Sequence, residues 1–257
     1  ARDAGVNPRD ARARRSYRGD MPPVVSPILG AVFRGVFGAI LLVRRPRPIH
    51  AHGVVLSGTL TRHPHRQRSG LGWVDAPSAD EVEVLARASR SVGLPAPLPD
   101  LVGLALRIDG PDGPADVELA STGFGVPGRF VLAPHRSPSR ARLGTLFPYR
   151  GAAGPVLLCA RTLEPRDLPV GLDALEARLR DEVWRLEVYW ATPRSRWRAF
   201  ALLELRATGE SDAGLRFDAV EHPLPGVGTY AWAAAVRQPS YRLSRRTGSR
   251  APLLARR

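Results

Sequence analysis

A histidine three residues after an arginine opens the most informative stretch of the chain, Arg47-Pro48-Ile49-His50-Ala51-His52-Gly53. Imidazole takes up and returns protons near neutral pH. The apolar run Val54-Val55-Leu56 follows at once and places His50 at the mouth of a predicted strand. Three more groups follow in order: Arg87-Ala88-Ser89, Asp116-Val117-Glu118-Leu119-Ala120-Ser121, and Arg237-Gln238-Pro239-Ser240-Tyr241. An arginine four residues before a tyrosine on a helix shares its face. A phenol ionises only at about pH 10 unless such a cation favours the anion. Arginine forks grip carboxylates bidentately. Each residue also has a plainer reading. His50 can be a satisfied histidine at a strand end, Tyr241 a surface tyrosine, Arg47 and Arg87 solvated charges, and Ser121 a small strand-end residue.

The elements that would position these groups belong to a chain of 257 residues with a 44% hydrophobic fraction, enough for a substantial core. Net charge is +14, yet every basic residue is arginine and Asn7 is the single asparagine. That pattern fits a GC-rich coding bias better than selection for phosphate binding. No aromatic–basic interleaving of the known nucleic-acid modules accompanies it, so no specific nucleic-acid partner is expected. Cys159 sits in the apolar run Val156-Leu157-Leu158-Cys159-Ala160 and reads as a small buried hydrophobe. No zinc-ligand spacing and no Gly-x-Ser-x-Gly elbow occurs.

Strands are predicted at 53–60, 84–92, 101–108, 116–121, 129–133, 155–161, 184–190, 199–206 and 215–220, with a turn at Gly110-Pro111-Asp112-Gly113. Capping-box spacing at Ser78-Ala79-Asp80-Glu81 predicts a short helix there. Helical periodicity marks 171–182, and a terminal helix over 229–246 is broken or restarted at Pro239. His63 and His65 read as members of a solvated loop rather than a metal pair. Trp184, Trp190, Trp197 and Trp232 read as core or wall residues. Many strands joined by turns, with helices pushed to the ends, point to an antiparallel barrel.

Taken in order, the four groups resemble the haem pocket of the catalase superfamily. Catalases have a distal pattern of arginine, two residues, histidine, alanine, any residue, glycine; Arg47, His50, Ala51 and Gly53 match it. Their arginine–aromatic–serine pattern is similar to Arg87-Ala88-Ser89, with the aromatic reduced to alanine. Their run "GFALRF", a turn and "DLVGNN" are similar to Val102–Ile108, the turn at Gly110–Gly113, and Asp116–Ser121. Their proximal arginine–three residues–tyrosine motif is matched by Arg237 and Tyr241. The match covers 47–122 and the C-terminal segment; 123–228 aligns only through the expectation of barrel strands.

The resemblance implies an α+β fold, a catalase-like antiparallel β-barrel with helices at its N- and C-terminal ends. It implies haem b, with Tyr241 as axial ligand of the iron. Arg47, Arg87, Ser89, Arg237 and Tyr241 would bind the cofactor, and His50 and Ser121 would be catalytic. His50 would move the peroxide proton. Ser121 would stand where catalases carry a distal asparagine. The implied activity is that of a small catalase-related, haem-dependent peroxidase, weakly catalase-like, reducing organic or hydrogen peroxide with an unidentified reductant. Rearrangement of a lipid hydroperoxide is a variant of the same chemistry. The absent asparagine, Ala88, and Pro239 inside the proximal motif support an alternative: a catalase-like barrel that has lost haem and serves as a binding or structural protein.

The expected organisation is a disordered basic arm over 1–21, an apolar N-terminal helix over 22–45, the haem barrel with its ligand helix over 46–246, and a basic tail over 247–257. The apolar stretch 24–43 is interrupted by Pro27 and Arg34. It therefore reads as a helix packed on the domain or lying at a membrane surface rather than a span. No cleavage site clearly follows it, so the expected location is cytoplasmic with membrane association left open. A homodimer is also left open.

Overall fold

Alternating aliphatic side chains set the architecture. In the computed structural model, residues 52–64, 67–77, 81–110, 113–123, 125–231 and 233 are described, all within the unit Arg44–Arg257. The strands are β1 (Gly53–Arg62), β2 (Glu81–Arg90), β3 (Val102–Gly110), β4 (Gly113–Thr122), β5 (Arg142–Gly144), β6 (Tyr149–Gly151), β7 (Gly154–Glu164), β8 (Trp184–Ala191), β9 (Arg198–Ala207) and β10 (Gly228–Thr229). One helix, α1 (Leu172–Asp181), joins β7 to β8.

Antiparallel pairing runs β1-β2-β3-β4-β5-β7-β8-β9 and returns from β9 to β1. The sheet thus closes into an eight-stranded barrel, with short β5 joining β4 only at Ala120–Thr122 and the Asp116 N–H beyond it donating to the His222 carbonyl. β6 continues the β5 side of β7 and also pairs with β10. Consecutive strands are neighbours almost throughout, an up-and-down meander.

The period of two sends one set of side chains inward. Val54, Leu56 and Leu60 of β1, Ala86 and Ala88 of β2, Leu104 and Leu106 of β3, Val117 and Leu119 of β4, and Leu158 and Ala160 of β7 all join one buried cluster. Trp184, Trp190 and Phe200 fill the interior beside β8 and β9, and Trp73 meets Phe200 edge-on at 5.6 Å between centroids. The Trp184 indole N–H donates to the Thr162 hydroxyl at 2.9 Å. Leu175 and Leu179 of α1 join the same cluster. The outer face of α1 carries the i,i+4 pairs Glu176–Arg180 and Arg178–Glu182, both at 2.6 Å.

Three expectations fail. Glu81 opens β2 rather than a helix, because Val82 and Val84 alternate with Glu81 and Glu83, and the strand period decides. The segment 129–133 is a turn with an isolated bridge, Thr122↔Leu132; the Arg129 guanidinium pins it by donating to the carbonyls of Thr192 (3.0 Å) and Ser195 (3.1 Å). The segment 215–220 is also irregular, its backbone tied to Asp116 instead of a strand. Conversely, the three-residue strands β5 and β6 are too short for a sequence period to register. The expected N-terminal helix, and the terminal helix apart from residues at its start, lie outside the described residues. Among the described residues, no helix is long and apolar enough to cross a membrane.

Candidate functional site

Strand register assembles one row of small residues on the outside of the barrel. The pairs Gly53↔Ser89, Ser89↔Gly103, Gly103↔Ala120, Ala120↔Gly144 and Gly144↔Cys159 run continuously across β1, β2, β3, β4, β5 and β7. Their chain neighbours Val54, Ala88, Val102, Leu119, Leu143 and Ala160 belong to the interior cluster, so the row faces outward. No side chain in it exceeds two heavy atoms. The row crosses six of the eight barrel strands and so follows the curved outer surface more than halfway round. Ser89 and Cys159 are buried there at 5% and 4% exposure. At the β1 end a Cβ on Gly53 would sit 2.7 Å from the Ala88 carbonyl oxygen, a contact that real side chains do not make. Side chains already stand over the row, Arg87 beside Gly53 and Thr122 beside Gly144.

Arg87 stands on the same outer face, two residues before Ser89 and opposite Val55. Its Nη2 and Nε donate to Oδ2 of Asp212 at 2.6 and 3.0 Å. A carboxylate from the segment after β9 thus already engages the guanidinium expected to meet a cofactor carboxylate.

Ser121 lies elsewhere. It is fully buried and alternates with outward-facing Ala120, so its hydroxyl points into the barrel and accepts from the Val102 backbone N–H at 3.0 Å. On the face that carries Arg87 and Ser89, the β4 residue is Ala120. The structure thus brings Arg87 and Ser89 together and separates Ser121 from them. Arg47, His50, Arg237 and Tyr241 lie outside the described residues. His52 is described and exposed, one residue before the row begins.

Ala120, Gly144, Cys159 and Asp212 were not singled out as site residues from the sequence. The alternation of apolar Leu119 with small Ala120 carried a signal for the first; nothing local marks Asp212, which reaches Arg87 only through the fold. Cys159 is inert by environment. Burial pushes its thiol up to about 12, against the opposing pull of Arg142, Arg129 and Arg161.

A second polar cluster lies further along the outer face of β3 and β4. Arg107 donates to both carboxylate oxygens of fully buried Asp116, at 2.8 and 2.7 Å. The Asp218 backbone N–H donates to the same carboxylate at 2.8 Å, and His222 Nδ1 lies 3.0 Å from it. Burial alone would raise the Asp116 pKa, but the hydrogen bonds from Arg107, Asp218 and His222 together outweigh it and hold the carboxyl below its ordinary value. This arrangement clamps the 216–222 segment to the barrel. Among the described residues, no group of three or more histidine, cysteine or acidic side chains could hold a metal ion.

No protein-family model matches the sequence, and no curated protein sequence matches it. Solved structures do match. A fungal catalase superposes with a TM-score of 0.56 at 12% identity over 81% of this chain and 60% of its own length. A bacterial catalase gives 0.53 at 13% identity, over 96% and 67%. Catalase A from Saccharomyces cerevisiae gives 0.58 at 10% identity, over 84% and 64%. The chain thus spans about three fifths to two thirds of the catalases it matches. Identities this low speak for the fold alone, and the closed meander described above agrees with them: the chain has a catalase-like antiparallel β-barrel.

Proposed function

We propose that this chain is a haem-dependent peroxidase with weak catalase-like activity, reducing organic or hydrogen peroxide at the outer wall of the barrel. The observation that carries this reading is the closed catalase-like barrel, whose β1 begins three residues after His50 and whose β2 carries Arg87 and Ser89 on its outer face. The ordered motifs add support.

In this reading Arg47 and Arg87 hold the haem carboxylates, and Arg87 must exchange Asp212 for one of them. Arg237 would keep Tyr241 ionised so that its phenolate oxygen could hold the iron. When bound, haem supplies the iron chemistry that cleaves the peroxide O–O bond. His50 takes the hydroperoxide proton and returns it to the departing oxygen. Ser89 would lie against the cofactor, while the Ser121 hydroxyl accepts from the Val102 N–H inside the barrel. A reductant supplies the two electrons that complete reduction to an alcohol or water.

The test is the absorption spectrum of the chain expressed with haem supply, repeated for Tyr241→Phe and His50→Ala. The expected result is a Soret band in the parent, weakened or shifted in Tyr241→Phe, and retained without peroxide turnover in His50→Ala. A parent without a Soret band, even after haem addition, overturns this reading. It would favour a second one, a haem-free barrel acting as a binding protein, which draws on Ala120 in the outward row and on the Asp212 contact at Arg87.

A further inference from the structure

We infer that two joined turns, residues 125–131 and the β8–β9 connection 192–197, form a docking surface for an anionic lipid bilayer. Arg129 joins them. Its Nη1 donates to the carbonyls of Thr192 and Ser195 at 3.0 and 3.1 Å, and its Nη2 donates to Ser195 again. Its guanidinium lies 4.6 Å from the centroid of the Trp197 ring. Each turn is also closed by its own bonds. The Arg129 and Val131 N–H groups donate to the carbonyls of Gly125 and Gly128, both at 2.9 Å. The Thr192 N–H donates to the Ser195 hydroxyl at 2.9 Å. The surface is therefore preformed, and docking need not order it.

Apolar and cationic side chains share this surface. Val126 and Val131, on the first turn, are the most exposed large hydrophobic side chains among the described residues, at 53% and 56%. Arg194 and Arg196 are exposed on the second turn. The stretches that carry the turns hold arginines but no acid: no aspartate or glutamate occurs between Glu118 and Glu164, or between Glu187 and Glu204.

Cations beside exposed aliphatic tips complement the boundary of an anionic bilayer. Guanidinium groups meet the lipid phosphates while the aliphatic side chains enter the acyl boundary, and the two contributions add. A nucleic acid would use the arginines but leave the valines in water. It stacks its bases on aromatic rings, and Arg129 already lies over the Trp197 ring. The surface does not depend on haem, so its failure and that of the peroxidase reading are distinguishable.

The test is flotation of the full chain with two kinds of vesicle, at low and at high salt. One is phosphatidylcholine alone; the other mixes it equally with phosphatidylglycerol. The parent should bind the mixed vesicles about tenfold more tightly than the neutral ones, or better, and salt should weaken that binding. Arg194→Gln/Arg196→Gln should bind the mixed vesicles about tenfold more weakly than the parent. Val126→Ser/Val131→Ser should lose about as much while keeping the parent's salt dependence. All four side chains are exposed, so both variants should keep the parent's melting temperature. Arg180→Gln/Arg206→Gln is the charge-matched control. Both of its arginines are exposed. Arg180 sits on α1, which precedes β8, and Arg206 sits near the end of β9, so both lie away from the turn that joins those strands. This control should bind as the parent does. Binding of single-stranded RNA is measured alongside. RNA bound more tightly than vesicles, with a loss only in the arginine variant, would assign the surface to nucleic acid and overturn the inference. So would a parent that does not prefer anionic vesicles, a valine variant that binds as the parent does, or an equal loss in the control.

Discussion

The hydroxyl of Ser121 accepts the backbone N–H of Val102 inside the barrel, 3.0 Å away, while Ala120 beside it looks outward. Adjacent residues thus face opposite sides of the barrel wall. Ser121→Ala leaves a buried N–H without its acceptor and should cost about 1–3 kcal/mol, read by urea unfolding, with haem retention unchanged. Ala120→Asn adds an amide to the outward row and should raise turnover of hydrogen peroxide relative to a bulky alkyl hydroperoxide. A Ser121→Ala protein of parental stability that has lost turnover would reverse these roles.

The barrel was legible in the sequence because most of its strands alternate large aliphatic residues with small or polar ones, as in Val102-Gly103-Leu104-Ala105-Leu106-Arg107-Ile108. Turn chemistry at Gly110–Gly113 then fixed one hairpin, closed by the pair Gly110↔Gly113. The placement of Ser121 was not legible. A motif compared by position tolerates a slip of one residue, and in a strand one residue reverses the face. Only the register Gly103↔Ala120 decides which neighbour shares a face with Ser89. Likewise, the apolar residues of 129–133 and 215–220 suggested strands, but turn bonds such as Phe130 N–H to the Pro127 carbonyl and Val131 N–H to the Gly128 carbonyl take up the first backbone, and the Asp116 carboxylate takes the Asp218 N–H of the second.

Asp116 should make stability depend on acid. Its folded-state pKa lies below the unfolded value: burial opposes this, but the bonds from Arg107, Asp218 and His222 prevail. Its contribution is therefore fully present above the unfolded pKa of about 4 and is lost as pH falls through the lower folded value. Asp116→Asn should flatten that part of the stability profile and destabilise the protein by about 3 kcal/mol at neutral pH, since Arg107 loses its charged partner. Urea midpoints of parent and variant between about pH 3 and 7 measure both effects. Parallel profiles would show that the clamp does not couple to protons.

Cys159 should resist modification. With burial pushing its thiol up to about 12, the thiolate that alkylating reagents need is scarce in the folded state. Iodoacetamide at mild alkaline pH should leave the native protein unlabelled and label it fully in denaturant. Rapid labelling of folded protein would mean that the outer wall around β7 opens.

Arg87 and Asp212 should act in opposite directions on cofactor retention. Their side chains are only 13% and 17% exposed, and the closest approach is 2.6 Å. If Arg87 meets a haem carboxylate, Asp212 competes for it. Asp212→Asn should then slow haem transfer to an acceptor globin, whereas Arg87→Gln should speed it. Equal acceleration by both variants would instead make the pair a simple brace between β2 and the segment after β9.

The barrel's closing seam should be intolerant at Gly58. This glycine pairs with Leu205 where β1 meets β9, and a Cβ there would lie 1.7 Å from the Glu204 carbonyl oxygen. The obstruction is backbone, so no side-chain rotation relieves it. Alanine must push β1 away from β9, stretching ladder bonds in the pairing that closes the sheet, at a cost of about 3 kcal/mol. Gly72→Ala, whose added methyl meets nothing within 4 Å, should stay within about 0.5 kcal/mol of the parent. Native-state hydrogen exchange should show the loss concentrated at β1 and β9 amides in Gly58→Ala. Equal stability of the two variants would mean that the seam has slack to admit a methyl group.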